Sequence, residues 1–303
     1  MNDAYHVPVL VSEVVEFLSP GRGGVFLDGT LGGGGHAEAL LAGGANRVIG
    51  VDRDAEALEA ARVRLADSRD RLELVRGDFA DVAESLEEPL SGALLDLGVS
   101  SRQIDAGERG FSFRVGVSLD MRMSGTGRTA ADLLNTLSEK ELADIFYEYG
   151  EERRSRRLAA EVVRRRRMRP FESSDDMVAA MHRALGDRIT AQDKARIFQA
   201  LRIAVNDELR SLERALPAIR DRLVDGGVLV IIAYHSLEDR RVKESFREWS
   251  RDCICPPELP VCRCRGRALG KTLTRRVVVP TEEEMRRNPR ARSARLRAWQ
   301  KAA

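Results

Sequence analysis

The chain has 303 residues, with 50 Lys and Arg against 48 Asp and Glu, for a formal net charge of +2. Its 43% hydrophobic and 32% charged residues exclude wholesale disorder, and its longest apolar run, Val228 to Tyr234, has the length of a strand and not of a membrane span. The length allows one large domain or two ordinary ones, and MNDAYHVPVL places no basic region before an apolar stretch, so no export signal and a cytoplasmic location are expected.

The charge is unevenly divided. Residues 1–100 balance to −10, residues 101–200 to +3 and residues 201–303 to +9. An acidic part and a basic part with different partners are expected, the basic part suiting a polyanion. The preference for Arg (45 against 5 Lys) carries no such meaning, because a GC-rich genome produces the same bias.

Four short apolar runs in the first hundred residues each lead to an aspartate. Val25–Leu27 leads to Asp28, Val48–Val51 to Asp52, Leu72–Val75 through Arg76 and Gly77 to Asp78, and Ala93–Leu95 to Asp96. Helical patterns such as Ala55–Leu65 separate them, which predicts βαβαβαβ and a parallel sheet buried on both faces. Ligands of such sheets bind beyond the carboxyl ends of the strands, so the four carboxylates are candidates for one crevice.

A fifth buried strand, Val228–Ala233, follows Asp225-Gly226-Gly227 only after a long gap. The gap reads as mainly helical. Ser138 to Glu141 forms a capping-box pattern, Ala159–Arg167 and Ser174–Leu185 have helical spacing, and one long amphipathic helix is expected from Asp193 to Leu223, kinked at Pro217. The expected architecture is an α/β domain over 1–108 and 196–303, interrupted by an all-helical domain over 109–195.

After the first strand stands Asp28-Gly29-Thr30-Leu31 and then four successive glycines, Gly32 to Gly35, before His36 and a helical pattern. Glycines at a helix start let backbone N–H groups approach a ligand closely. No Lys follows, so the loop is not a P-loop, and GxGxxG fails in every register. An acid before a glycine-rich turn resembles the loop of S-adenosylmethionine-dependent methyltransferases. Asp52, 24 residues past Asp28, suits ribose hydroxyls, while Asp78 and Phe79 suit adenine by chemistry.

The strings Leu94–Gln103 (LLDLGVSSRQ), Glu108–Phe113 (ERGFSF) and Leu119–Met123 (LDMRM) closely resemble the MraW family of ribosomal RNA small subunit methyltransferases. So do Tyr149–Glu152 (YGEE), Phe198–Asn206 (FQALRIAVN), His235–Arg240 (HSLEDR), Asn288–Ser293 (NPRARS) and the early His6–Val9 (HVPV). The resemblance covers nearly the whole chain. It implies a Rossmann-like class I fold with a helical insertion, and N4-methylation of one cytidine in the decoding region of 16S rRNA. Matched by position, Gly34, Gly35 and His36 would hold the methionine end of S-adenosylmethionine, Asp52 the ribose and Phe79 the adenine, with Asp96 and Gln103 completing the pocket. Some family members have a non-acidic residue in place of Asp78.

A cytosine amine is a poor nucleophile facing an already activated methyl, so catalysis rests on positioning and on acceptors for its hydrogens. Ser100 or nearby carbonyls are candidates for accepting from the amine, and His235 or Tyr234 for orienting the base; an ordinary loop hydroxyl and a structural histidine are the plain alternatives. Nine arginines between Arg153 and Arg169 and twelve basic residues between Arg263 and Arg297 are candidate phosphate contacts. Cys253, Cys255, Cys262 and Cys264 form C-x-C-x6-C-x-C. Structural zinc sites more often have two residues inside each pair, so reduced structural or redox-sensitive thiols are expected and no metal. A nicotinamide-dependent oxidoreductase lacks its GxGxxG here, and a simple RNA-binding module leaves the glycine loop and its acids unexplained.

Overall fold

A computed structural model of the chain describes residues 8–98, 109–256, 261 and 263–303. These form two compact units, one of residues up to Gly98 with Leu209–Ala303, the other of residues up to Glu208 between them.

The first unit is built on a seven-stranded sheet in the order β3-β2-β1-β4-β5-β7-β6. Its strands are β1 (Val25–Asp28), β2 (Arg47–Asp52), β3 (Leu72–Arg76), β4 (Leu90–Asp96), β5 (Leu223–Ala233), β6 (Gly270–Thr272) and β7 (Arg295–Lys301). Strands β1 to β5 are parallel, as their apolar runs predict. Alternate side chains enter two cores: Phe26, Val48, Leu94 and Val230 face one, Leu27, Ile49, Leu95 and Ile231 the other. Each fully buried aliphatic side chain contributes about 1.5–3 kcal/mol, enough in number to hold the strand ends rigid.

Chain order reverses between β1 and β4, so a crevice is expected beyond their carboxyl ends. Helices α1 (Val11–Leu18), α2 (Gly35–Ala42), α3 (Ala55–Arg64) and α4 (Phe79–Ser85) occur before the reversal is complete. The sequence reading did not foresee β6 and β7. Both pair antiparallel, and β7 has Arg295 and Arg297 between buried Leu296, Ala298 and Trp299, so charge obscures its alternation. Trp299 packs edge-on to Trp249 with centroids 5.2 Å apart, which anchors β7.

The second unit is helical: α5 (Ala130–Thr136), α6 (Glu139–Glu148), α7 (Ser155–Arg166), α8 (Ser174–Leu185) and α9 (Ala191–Asn206). Its core gathers Leu134, Phe146, Leu158, Met177, Met181, Ile197, Phe198 and Leu201. Ile197, Phe198 and Leu201 place α9 inside this unit, whereas a boundary at 195 cuts through that helix. The single helix expected from Asp193 to Leu223 is two, α9 and α10 (Glu208–Arg222). The break is at Asp207, left-handed with φ 53°, and not at Pro217, which stands inside a continuous α10. Asn206 explains the stop: its amide reaches the Met121 carbonyl at 2.7 Å and accepts from Met123 N–H at 2.8 Å.

Candidate active site

The glycine turn is held from both sides. Gly29 N–H donates to the Leu94 carbonyl and Leu31 N–H to the Val51 carbonyl, both at 2.9 Å, which ties the turn to β4 and β2. Thr30 links the two strand ends: its Oγ1 accepts from Asp96 N–H at 2.6 Å, while its own N–H donates to Asp28 Oδ1 at 3.3 Å. Gly32 and Gly34 are left-handed, with φ 52° and 81°. A Cβ on Gly34 would stand 3.0 Å from Leu65 Cδ1, so glycine alone fits there without strain. Gly34 is also the N-cap of α2 and provides no side-chain cap, so Gly35, His36 and the residues after them start the helix with uncapped N–H groups.

The strand-end carboxylates differ in their surroundings. Asp28 is fully buried, and its Oδ2 has no hydrogen-bond partner among the described residues. Burial raises its pKa to about 6 against the lowering pull of His36. Asp52 accepts from Gly32 N–H and Asp54 N–H, each at 2.8 Å, and burial still raises its pKa. Arg53 N–H is a third backbone donor to this carboxylate, whose roughly four lone-pair sites still leave room for a hydroxyl donor. Asp96 Oδ1 accepts from the Tyr234 hydroxyl at 2.9 Å, and Asp96 Oδ2 is 3.8 Å from His36 Nδ1. His36 Nε2 is 2.9 Å from the Val9 carbonyl, which fixes the ring with Nδ1 turned toward Asp96. Burial, then the Asp96 carboxylate, push the Tyr234 phenol well above its ordinary range, so it stays a neutral donor.

Phe79 is half-buried at the start of α4, where its Cβ would be 3.2 Å from a Cβ on Gly29 of the turn. Asp78 is spent structurally. It caps α4 through Ala80 N–H at 2.8 Å and forms an ion pair with Arg53, whose guanidinium also reaches Ser211 Oγ at 2.9 Å. His235 is the N-cap of α11 (Ser236–Trp249). Its Nδ1 accepts from Glu238 N–H at 3.4 Å, and its Nε2 is 2.9 Å from Glu238 Oε1. Glu238 in turn accepts from Tyr234 N–H at 2.9 Å, so the pair fixes the backbone that carries Tyr234. Ser100 and Gln103 lie outside the described residues.

The structure thus brings Gly34, Gly35, His36, Asp52, Phe79 and Asp96 to the carboxyl ends of β1, β2, β3 and β4, and Tyr234 to the end of β5. Thr30 and Glu238 were missed by sequence reasoning. Their types signal only turn and cap chemistry, and their value lies in contacts 66 and 4 residues away.

The basic segments contain both engaged and unengaged arginines. Arg166 donates to the Leu134 and Leu137 carbonyls, Arg154 to that of Leu185, and Arg164 pairs with Glu161. Arg153, Arg156, Arg157 and Arg167 are exposed and, among the described residues, form no ion pair or hydrogen bond through their side chains. In the first unit, Arg297 is 2.7 Å from Asp239 and Arg295 3.7 Å, and the register pairs Arg295 with Ala233 at the carboxyl end of β5. No helix among the described residues is long and apolar enough to cross a membrane.

A protein named ribosomal RNA small subunit methyltransferase H from Gemmatimonas aurantiaca is 54% identical over 98% of this chain and 96% of its own length. Its namesake from Heliobacterium modesticaldum is 48% identical over 98% of each. Among solved structures, an rRNA methylase from Streptococcus thermophilus aligns with TM-score 0.44 and 13% identity, covering 97% of this chain and 94% of that one. Residues 3–302 match the MraW methylase family, and the chain belongs to it.

Proposed function

We propose that this chain transfers a methyl group from S-adenosylmethionine to the exocyclic N4 of one cytidine in the decoding region of 16S rRNA. Membership of a methylase family and full-length relatives named as small subunit rRNA methyltransferases support the class of reaction. The observation that carries the cofactor is the fully buried Asp28 carboxylate, its Oδ2 without a hydrogen-bond partner among the described residues, beside a glycine turn with Asp52 and Asp96 close by. Such a cluster favours a ligand that brings positive charge and hydroxyl donors together. S-adenosylmethionine has a sulfonium, an ammonium, a carboxylate and a ribose, and when bound it supplies a methyl activated by its positive sulfur.

Gly34, Gly35 and His36 take the methionine end, where the uncapped start of α2 receives the carboxylate. Asp52 accepts from the ribose hydroxyls through its remaining lone pairs, and Phe79 covers one face of the adenine. Asp96, held by Tyr234 and the Thr30 hydroxyl, faces the reacting region with Gln103. Ser100 and nearby carbonyls accept the amine hydrogens and turn its lone pair toward the methyl. His235 acts through position: it caps α11 and, with Glu238, orients Tyr234 for the base. No strong base is required, because the transfer makes a cationic amine that loses its proton readily to such acceptors. The helical unit with Arg153 to Arg169, and the basic stretch Arg263 to Arg297, grip RNA phosphates while the cytidine is turned out of its stack.

The test is mass spectrometry of 16S rRNA from cells with and without the gene. N4-methylcytidine in the decoding region should vanish with the gene and return with the wild-type copy. An unchanged level defeats the assignment.

A further inference from the structure

Between the end of α11 and β6 runs a surface segment with little apolar burial of its own. Cys253 is exposed, and Cys255 and Cys264 are half-buried. A cysteine that serves only as a small apolar side chain is normally buried, so three that converge near solvent need another reason. Their sulfurs all lie within 4.8 Å of one another, and Cys253 Sγ and Cys264 Sγ are 3.8 Å apart. That separation is far beyond the ~2.05 Å of a disulfide. It equals the edge of a tetrahedron whose centre is about 2.3 Å from each sulfur, the usual zinc–thiolate distance.

The backbone of the two turns interlocks through their sulfurs. Ile254 N–H donates to Cys264 Sγ at 3.3 Å, and Arg263 N–H donates to Cys255 Sγ at 3.4 Å. Each Cys-x-Cys turn thus provides a donor to a sulfur of the other. Arg251, Arg263, Arg265 and Arg267 lie in the same segment and offset the negative charge of several thiolates. The base of the loop is independently fastened: Arg265 donates to the Glu248 carbonyl at 2.6 Å and to that of Arg251 at 3.3 Å, and Ala268 N–H to Asp252 Oδ1 at 3.1 Å. The single intervening residue in each pair, unusual for zinc, is therefore no obstacle, because crossing of the two turns brings the sulfurs together.

We propose that Cys253, Cys255 and Cys264 bind one structural zinc ion that cross-links this segment. Binding exchanges three thiol protons for the ion and involves no oxidation. Cys262 lies outside the described residues and is assigned no role. The ion supplies the rigidity that the segment's small apolar content does not.

The test uses the full chain expressed with zinc in the medium and purified in reductant without chelator. Elemental analysis should give about one zinc per chain, and cobalt exchange should produce sulfur-to-cobalt charge-transfer absorption with the strong visible bands of a tetrahedral ion. Cys253→Ser with Cys264→Ser, and Cys255→Ser alone, should reduce both signals at least tenfold while S-adenosylmethionine binding reports a folded sheet unit. If a variant fails to fold, the wild-type chain decides: a chelator should strip the metal and expose residues 252–268 to protease. Reduced wild-type chain that takes up neither metal overturns the proposal. So does full metal content in the variants, or a non-reduced intact mass showing the hydrogen loss of a disulfide.

Discussion

The same residue type does opposite work in the two units. In the helical unit Asp132, Glu141 and Asp193 close capping boxes, and hydrogen bonds from their caps hold all three below the ordinary carboxylate range. Asp193 reaches about 2, chiefly through Thr190 N–H and hydroxyl, with Arg196 adding to the effect. In the sheet unit burial raises Asp28 to about 6 and also lifts Asp52. Carboxylates that build the fold are satisfied by it; those raised by it are waiting for something. An unmet buried charge weakens the protein alone and strengthens it with its ligand, which is why perturbed acids mark sites better than acids as such.

Asp28→Asn puts the largest strain on this contrast. A carboxyl whose folded pKa exceeds its unfolded value costs stability that appears as pH rises from about 4 to about 6 and persists above. The two-unit difference corresponds to up to about 3 kcal/mol. The ligand-free Asn variant should therefore be more stable than wild type near pH 7, and the gap should close near pH 4, where Asp28 is protonated. Chemical denaturation across pH measures it. The same variant should bind S-adenosylmethionine at least tenfold more weakly by calorimetry. Equal stability at pH 7 contradicts the idea of an unmet charge.

Asp52→Ala comes next. It removes the acceptor of three backbone N–H groups and of the proposed ribose hydroxyls, and about 2 kcal/mol of binding, or some 30-fold in Kd, should go with it. Unchanged affinity would move the ribose elsewhere. The basic face sharpens the comparison from the other side. Replacing Arg156, Arg157 and Arg167 by Gln should reduce the salt slope of RNA binding by about 2, at ~0.7 per lost phosphate contact. Replacing Arg166 should instead lower stability, because it holds the Leu134 and Leu137 carbonyls. A slope indifferent to the triple change removes that face from the RNA interface.

Much of this was readable in the chain. Strands β1 to β4 announce themselves by apolar runs, because a strand buried on both faces has no polar positions to disguise it. The glycine turn and its acids follow from the same logic, since only glycine tolerates left-handed turns packed against Leu65. What stayed hidden depends on distant partners. Asp78 and Asp28 look alike as strand-end acids, yet Arg53 forms an ion pair with Asp78, while Asp28 is fully buried with its pKa raised. His235 after an apolar strand gives no sign that it also caps a helix, which only its contacts with the Glu238 N–H and carboxylate reveal. The four consecutive arginines Arg164 to Arg167 could not be sorted either, because the carbonyls that engage Arg166 lie in another helix and the turn after it.

The smallest effect tests the other half of the contrast. Asp193 accepts from Thr190 N–H and hydroxyl, each at 2.8 Å, and from Arg196 at 2.7 Å, with its side chain partly exposed. Asp193→Ala should cost about 1 kcal/mol at pH 7, the ordinary loss of a cap. The pH dependence must run opposite to that of Asp28. A depressed folded pKa gives stability that is present above about 4 and disappears as pH falls toward about 2, so wild type and variant should converge in acid. Thermal melts at pH 7 and pH 3 separate the two behaviours. The Asp28 variant should exceed wild type at pH 7 and the Asp193 variant should fall below it, with both differences shrinking at pH 3. A pair of variants that shifted in the same direction at pH 7 would mean that the raised and lowered acids are not distinguished by whether the fold satisfies them.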